Sequence, residues 1–269
     1  MKNTEDFHSP ARLELINVSI SYNSHPALED VSVEIPHGAR VAVVGPNGAG
    51  KSTLFKALVG LLPVQRGQIL IHGRSLGTHQ DCVAYIPQRE DVDWRFPVTV
   101  EDVVMMGRFG KYGWFRRAGA PDHQIVRQSM DQMGILPLAD RAIGELSGGQ
   151  QQRAFLARAL AQEPHILLMD EPFTGIDVST QEVTMNVLDQ LRQQQVTVLV
   201  STHDLNMAAQ RFDLVLLLNH HLVAFGTPQQ VFTQQNVTAA FKSQVMFMDS
   251  AVIVDQCCGV EEDEHQREP

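Results

Sequence analysis

Long hydrophobic runs are missing from this chain of 269 residues. Its most apolar stretches, such as Val196–Val200 and Leu214–Leu218, have only the length of a β-strand. A membrane-spanning helix needs about 20 predominantly apolar residues. The first segment, Met1–Ala11, is polar and does not contain the apolar core of a signal peptide. We therefore expect a chain that works in the cytosol and does not cross a bilayer.

Cysteine is also scarce. The three cysteines, Cys82, Cys257 and Cys258, have neither disulfide nor metal-site spacing, which suits a reducing compartment. The histidines and cysteines show no ligand cluster in the sequence, so we expect no metal site built from them. His220 and His221 are expected in a hairpin turn, and a metal-sensing role for the C-terminal cysteines remains an alternative.

An excess of positive charge is missing as well. The formal net charge is −10, which argues against nucleic acid as a main partner. The segment Asp255–Pro269 has six acidic residues and one basic residue, and therefore carries half of that charge. Such a composition predicts a solvated and poorly ordered tail.

What the chain does contain is an ordered succession of strand and helix patterns. Near-alternation of apolar and polar residues predicts antiparallel strands at 13–20 and 31–35. Continuous apolar runs predict strands buried on both faces at 40–44, 166–169 and 196–200. Shorter runs predict further strands at 68–71, 83–86, 214–218 and 222–225, while helical spacing dominates from about 98 to 162. This order predicts an α/β fold, with a mostly parallel sheet covered on both faces, an antiparallel β subdomain and an inserted α-helical lobe.

The segment from Gly45 to Ser52 reads G-x-x-x-x-G-K-S between a predicted buried strand and a predicted helix. Glycines in this setting let backbone N–H groups surround phosphates, and the helix N-terminus adds partial positive charge. Lys51 is expected to reach the β- and γ-phosphates, and the Ser52 hydroxyl to bind Mg²⁺. A chance glycine-rich turn is the alternative. The predicted nucleotide-binding residues are Gly45, Pro46, Asn47, Gly48, Ala49, Gly50, Lys51, Ser52 and Thr53.

Two carboxylates end the apolar strand at 166–169. Successive strand residues point in opposite directions, so Asp170 and Glu171 cannot have the same task. Asp170 is placed for the Mg²⁺ shell, and Glu171 for polarising the water that attacks the nucleotide. Many buried strands end in an acidic residue at a turn, so the pair alone does not indicate a functional site. It does so here because a phosphate loop lies upstream in the sequence.

The segment Leu146–Gln150 reads Leu-Ser-Gly-Gly-Gln, and Ser147 with Gln150 three residues later predicts a capping box. A plain cap does not need Gly148 and Gly149, whereas bare backbone there would let an anion approach the helix N-terminus. LSGGQ between the two nucleotide motifs resembles the signature of ABC-family ATPases. The resemblance runs from about residue 13 to residue 241 and implies a P-loop NTPase core that binds ATP and Mg²⁺.

The resemblance also implies roles for single residues. Tyr22 would stack on adenine, Gln88 would contact Mg²⁺ or water, and His203 would contact the γ-phosphate. An ordinary strand-edge tyrosine and a structural histidine are the alternatives. Asp177 would belong to the loop that crosses the interface of two subunits, although this loop reads Thr-Gly-Ile-Asp and not the commoner Ser-Ala-Leu-Asp. The signature residues Ser147, Gly148, Gly149 and Gln150 would close over the ATP of a second copy, in a head-to-tail dimer.

The stretch from Arg89 to Arg108 resembles the ATPases of bacterial manganese, zinc and iron importers. The family docks a membrane permease just after Gln88, which implies a chain held on the cytoplasmic face of the membrane and served indirectly by a substrate-binding protein. Exposed aromatics suit such a surface, and filling the core of the lobe is their alternative. They are Trp94, Phe96, Tyr112, Trp114 and Phe115.

The resemblance divides the chain into an extension (1–12), an ATPase domain (13–242) with its helical lobe at about 89–162, and a C-terminal extension (243–269). The cargo never touches this subunit, so the metal cannot be read from it. An iron-siderophore or haem importer ATPase remains an alternative. A non-transport ABC ATPase would carry coiled-coil insertions or a second ATPase unit, and this acidic chain shows neither.

Overall fold

The computed structural model describes residues 13–22, 25–76, 82–112, 117–241, 245–248 and 251–254. Among the helices of this part of the chain, none is long and apolar enough to span a membrane. Trp114 and Phe115, together with the whole acidic tail (Asp255–Pro269) that contains Cys257 and Cys258, lie outside the described residues, as does the side chain of Tyr112.

A four-stranded antiparallel sheet has the order β2-β1-β4-β5. Its strands are β1 (Leu13–Tyr22), β2 (His25–Ile35), β4 (Arg66–Ile71) and β5 (Arg74–Ser75). Inward-facing apolar residues alternate with polar ones on β1 and β2, which is the pattern of a sheet with one face in the core. This sheet is the predicted antiparallel subdomain, and β5 is a strand that the sequence pattern missed.

A six-stranded sheet has the order β10-β9-β3-β8-β7-β6, in which β10 alone is antiparallel to its neighbour. Its strands are β3 (Arg40–Val44), β6 (Val83–Ile86), β7 (Ile166–Met169), β8 (Thr197–Thr202), β9 (Leu214–Asn219) and β10 (His221–Gly226). Alternate residues of one strand belong to different hydrophobic clusters: Val41 and Val43 pack on one side, Ala42 and Val44 on the other. The sheet is therefore covered on both faces, as predicted.

Nine α-helices lie in the described part of the chain. They are α1 (Lys51–Leu58), α2 (Val100–Met105), α3 (Phe109–Tyr112), α4 (Ala120–Gln132), α5 (Gly148–Ala161), α6 (Val178–Gln193), α7 (Leu205–Arg211), α8 (Pro228–Val231) and α9 (Gln234–Phe241). Helices α2, α4 and α5 pack on one another and form the predicted helical lobe. Two short paired strands, β11 (Val245–Met248) and β12 (Ala251–Val254), lie in the segment predicted as the C-terminal extension.

Candidate functional site

The carboxyl ends of four neighbouring parallel strands meet at one edge of the six-stranded sheet. The phosphate loop follows β3, and His203 follows β8. Asp170 and Glu171 follow β7, and Gln88 comes two residues after β6. Ligands of open α/β sheets bind in the crevice at this edge. Sheet pairing thus brings together residues that are far apart in the sequence.

The phosphate loop needs glycine at two positions for different reasons. Gly50 is the N-cap of α1 with a left-handed backbone (φ 96°), a conformation that L side chains rarely adopt. Gly45 lies so close to β9 that a Cβ there would be 2.1 Å from the carbonyl oxygen of Leu218. The loop is thereby fixed between the end of β3 and the start of α1, with its open turn at the helix N-terminus. An anion fits this place because the helix dipole favours negative charge.

Lys51 is buried beside the loop. Its Nζ donates hydrogen bonds to Gly45 O at 2.8 Å and to Pro46 O at 3.1 Å. An ammonium has three donors, so the two carbonyls leave one for a phosphate oxygen. Burial lowers the pKa of Lys51 below its ordinary value, and the carboxylates of Glu171 and Asp170 oppose that shift. Ser52 and Thr53 follow in the first turn of α1, where Ser52 is partly exposed and Thr53 is buried.

Asp170 is almost completely buried, with 1% of its surface exposed. Its Oδ1 accepts a hydrogen bond from Ser201 Oγ at 2.5 Å, and Tyr85 OH lies 3.5 Å from its Oδ2. Burial raises the pKa of Tyr85 above its ordinary value, and the Asp170 carboxylate adds to the shift. Asp170, Ser52 and Gln88, the three residues predicted to hold Mg²⁺, all carry oxygen donors, which Mg²⁺ prefers.

Glu171 has a left-handed backbone (φ 45°), which is unusual for a residue with a side chain. Such a conformation costs on the order of 1–3 kcal/mol and persists only when its surroundings hold it. The hydrogen bond from Glu171 N to Ser201 Oγ, at 2.8 Å, supplies one such restraint. The carboxylate Oε2 lies 3.6 Å from Nδ1 of His203, whose side chain is exposed. Both residues line a cavity of about 250 Å³ together with Ser201 and Gly175.

The signature residues lie at the start of α5 in the helical lobe. Ser147 and Gln150 form the predicted capping box, in which Ser147 Oγ accepts from Gln150 N and Gln150 Oε1 accepts from Ser147 N. Packing also requires glycine at position 149, since a Cβ on Gly149 would be 2.6 Å from Thr180 Oγ1. Across the described ranges, no hydrogen bond or ion pair joins 147–150 to the phosphate loop of the same chain.

Asp177 is the N-cap of α6, with a carboxylate that accepts hydrogen bonds from Ser179 Oγ, from Thr180 N and from Thr180 Oγ1. These bonds hold its pKa well below the ordinary value. The next residue, Val178, is a large apolar side chain with 72% of its surface exposed. Tyr22, the last residue of β1, is also exposed, at 44% of its surface.

The aromatics of the lobe divide between the two alternatives, and one cluster of possible ligands was not expected from the sequence. Trp94 is half-buried, with its ring 5.1 Å from that of Phe155, whereas Phe96 is 59% exposed, as a partner surface requires. His72, Cys82 and His165 come together with their ligand atoms within 4.8 Å of one another, although the sequence showed no His/Cys cluster. The expected turn at His220 is present, since it connects β9 to β10, and His221 begins β10. From the sequence, Ser201 was also assigned no role. The one sequence feature that could have indicated a role is its position on the strand next to the one that Asp170 follows.

Comparisons with known proteins agree with this geometry. The family model described as ABC transporter matches residues 28–174. A manganese transport system ATP-binding protein of Bacillus subtilis is 42% identical over 243 residues, which are 90% of this chain and 97% of that protein. A zinc transport system ATP-binding protein of Treponema pallidum is 44% identical, over 87% of this chain and 88% of that protein.

A solved structure with a similar fold is also described as an ABC transporter. It is an inward-facing conformation of a putative metal-chelate type ABC transporter, with a TM-score of 0.77 and 29% identity. The match covers 91% of this chain and 95% of that one. A site that presents a phosphate loop, two carboxylates and an LSGGQ helix is what an ATP-hydrolysing subunit requires. The chain belongs to the ABC transporter family, as one of its ATP-binding, ATP-hydrolysing subunits.

Proposed function

We propose that this chain powers the import of a transition-metal ion, such as manganese or zinc, through a separate membrane permease. The observation that carries the proposal is the similarity to manganese and zinc transport ATP-binding proteins over 90% and 87% of the chain. A likeness that extends over nearly the whole chain includes the helical lobe, the part in which a subunit of this kind meets its permease.

We assign the chemistry of ATP hydrolysis to the edge of the six-stranded sheet. Lys51 and the loop from Gly45 to Thr53 bind the phosphates, and Tyr22 stacks on the adenine. Glu171 accepts the proton of the attacking water, and His203 beside it contacts the γ-phosphate. Ser52, Asp170 and Gln88 hold Mg²⁺, which when bound neutralises phosphate charge.

We propose that a second copy of the chain completes each site. Ser147, Gly148 and Gly149 offer a helix N-terminus for an anion, yet they are not joined to the phosphate loop within the described part of the same chain. Val178, exposed beside Asp177, gives the facing surface an apolar contact. Each chain thus carries a phosphate loop and a signature helix, which belong to two different nucleotide sites. When two copies pack head to tail, the signature helix of each completes the site of the other, with Gln150 and Asp177 close to the interface.

We further propose that the exposed aromatics of the helical lobe contact the permease on the cytoplasmic face of the membrane. Phe96 and Phe109 are 59% and 58% exposed, which is high for large apolar side chains. Aromatic residues are enriched at protein interfaces. A substrate-binding protein would deliver the cargo to the permease and would not touch this chain.

A second cargo class is favoured by two observations. The putative metal-chelate type transporter has a similar fold over 91% of the chain at 29% identity, and a chelated iron transport system protein of Yersinia pestis is 46% identical over 86% of the chain. Import of a chelated metal, such as an iron-siderophore, therefore stays as the second candidate. The two candidates differ in whether the permease accepts a bare ion.

The test is reconstitution with the permease that co-purifies with the tagged chain, and with the substrate-binding protein that delivers the cargo. With this chain and ATP enclosed in the lumen of proteoliposomes, uptake of radioactive manganese or zinc should depend on ATP and disappear with Lys51→Ala. A chelated metal supplied in parallel should not be taken up. ATP-dependent uptake of the chelate alone would overturn bare-ion import, and uptake of neither would overturn metal import altogether.

A further inference from the structure

The cluster of His72, Cys82 and His165 lies at the opposite edge of the sheet from the nucleotide site. Cys82 immediately precedes β6 and His165 immediately precedes β7, the strands that lead to Gln88 and Asp170 at their other ends. Six residues of extended chain from Cys82 to Gln88 span about 20 Å. The cluster is therefore separate from the residues assigned to ATP hydrolysis.

We propose that these three side chains form a site for a divalent transition metal of the zinc class. Their ligand atoms all lie within 4.8 Å of one another, and His72 Nε2 is 3.0 Å from His165 Nδ1. Two nitrogens on one tetrahedral zinc, each about 2.0–2.1 Å from the metal, are roughly 3.4 Å apart. The imidazoles are thus nearly at ligand spacing, and the thiol has to move by at most about 1 Å.

The backbone holds all three residues in place. His165 N donates a hydrogen bond to Cys82 O at 2.9 Å, and its carbonyl accepts one from Thr197 N at 2.9 Å. His72 and Gly73 both have positive φ (54° and 69°) in the two-residue turn from β4 to β5. This is the geometry of a type I′ hairpin, which leaves little freedom to its residues. A site whose ligands are fixed by the scaffold loses little entropy on binding.

The donor set selects the metal. Two imidazoles and a thiolate suit Zn²⁺ and Co²⁺, whereas Mg²⁺ and Mn²⁺ prefer oxygen ligands. Three protein ligands leave the fourth tetrahedral position to water. A bound ion would join the β4–β5 turn of the antiparallel sheet to the starts of β6 and β7 in the other sheet. We therefore also expect it to stabilise the packing of the two sheets.

The experiment uses the full chain with Cys257→Ser and Cys258→Ser, in which Cys82 is the single thiol. Excess Mg²⁺ and ADP occupy the nucleotide site, and Co²⁺ is titrated as a spectroscopic probe. One equivalent should produce a sulfur-to-cobalt charge-transfer band with the visible spectrum of a tetrahedral ion. Zn²⁺ should displace the Co²⁺ and raise the Tm, while Mn²⁺ should do neither.

Three variants and a control identify the ligands. Cys82→Ser should abolish the band and the zinc-dependent rise in Tm. Two variants remove the imidazole ligands: His165→Gln, and His72→Asn, which keeps a residue type favoured in this turn. Each should weaken Zn²⁺ binding by at least roughly a hundredfold. Loss of a group that only hydrogen-bonds to a metal ligand already costs about 10- to 100-fold, and loss of a ligand itself should cost at least as much. His221→Gln changes an exposed histidine on β10 and should have no effect. Absence of the charge-transfer band, or equal Zn²⁺ affinity in Cys82→Ser, would overturn the site, because the two histidines would then be only a hydrogen-bonded pair. ADP binding checks that each variant is folded.

Discussion

Ser201 Oγ donates a 2.5 Å hydrogen bond to Asp170 Oδ1 and also accepts one from the backbone N–H of Glu171 at 2.8 Å. One buried hydroxyl thus restrains two consecutive carboxylate residues with different tasks. It orients the carboxylate assigned to Mg²⁺, and it holds the left-handed backbone of the proposed catalytic base. Ser201 is therefore a positioning residue, which acts on the reaction through its two neighbours.

Ser201→Ala should lower kcat and raise the Mg²⁺ concentration needed for half-maximal hydrolysis. Hydrogen bonds to charged groups contribute about 1.5–3 kcal/mol, which corresponds to a fall of about 10- to 100-fold. The matched control is Ser129→Ala, a buried serine of α4 in the helical lobe. An unchanged Mg²⁺ dependence in Ser201→Ala would mean that the hydroxyl serves folding only.

Tyr22→Ala should raise the KM for ATP by about tenfold or more, because stacking of a base on an aromatic ring contributes about 1–3 kcal/mol. The value of kcat should stay nearly the same, since stacking is equally strong in the ground and transition states. Tyr22→Phe keeps the ring and should bind ATP as the unaltered chain does. Equal KM values for Tyr22→Ala and the unaltered chain would contradict the adenine contact.

Phe96→Ser and Phe109→Ser should leave basal ATP hydrolysis unchanged and weaken binding to the permease by roughly tenfold or more, as loss of an aromatic anchor does. Leu61→Ser is the control, since Leu61 is 65% exposed outside the lobe. Trp94→Ala is expected to lower Tm, because the ring packs against Phe155. Permease binding that survives both phenylalanine changes would place the docking surface elsewhere.

Glu171→Gln should hold two copies together when ATP and Mg²⁺ are bound. The amide keeps the shape of the side chain and removes the base, so ATP stays uncleaved between the copies. Size-exclusion chromatography should show a dimer with ATP and a monomer with ADP, and adding Ser147→Arg should abolish the shift by filling the second anion site. A Glu171→Gln chain that stays monomeric at saturating Mg-ATP would contradict the head-to-tail arrangement for the isolated subunit.

Local sequence patterns predicted much of the fold. Buried strands with one continuous apolar run, such as Arg40–Val44 and Ile166–Met169, have the predicted bounds. The phosphate loop and the carboxylate pair were predictable for the same reason, because each motif is contiguous and follows a strand. Contacts across the sheet were not predictable, since they depend on register between distant segments. His72 and His165, 93 residues apart, meet only because the β4–β5 turn lies beside the start of β7.

The left-handed backbone of Glu171 and the packing of Trp94 on Phe155 were also beyond the sequence patterns. Helical and strand periodicities say which face a residue occupies within one element. They do not say which neighbouring element covers it, and Trp94 and Phe96 lie on a loop where no periodicity applies. Whether one of these two aromatics packs on Phe155 is decided by the placement of α5.

The central claim is that ATP is hydrolysed at the edge formed by β3, β8, β7 and β6, with Glu171 as the base. Its most direct test is the rate of phosphate release from Glu171→Gln at saturating Mg-ATP, with ATP retention measured on the same sample. The account predicts full ATP binding and a rate lower by about 10²- to 10⁴-fold, the contribution of a general base. Glu182→Gln, an exposed glutamate paired with Arg211, should hydrolyse ATP normally. Phosphate release from Glu171→Gln within a few-fold of the unaltered chain would contradict the account.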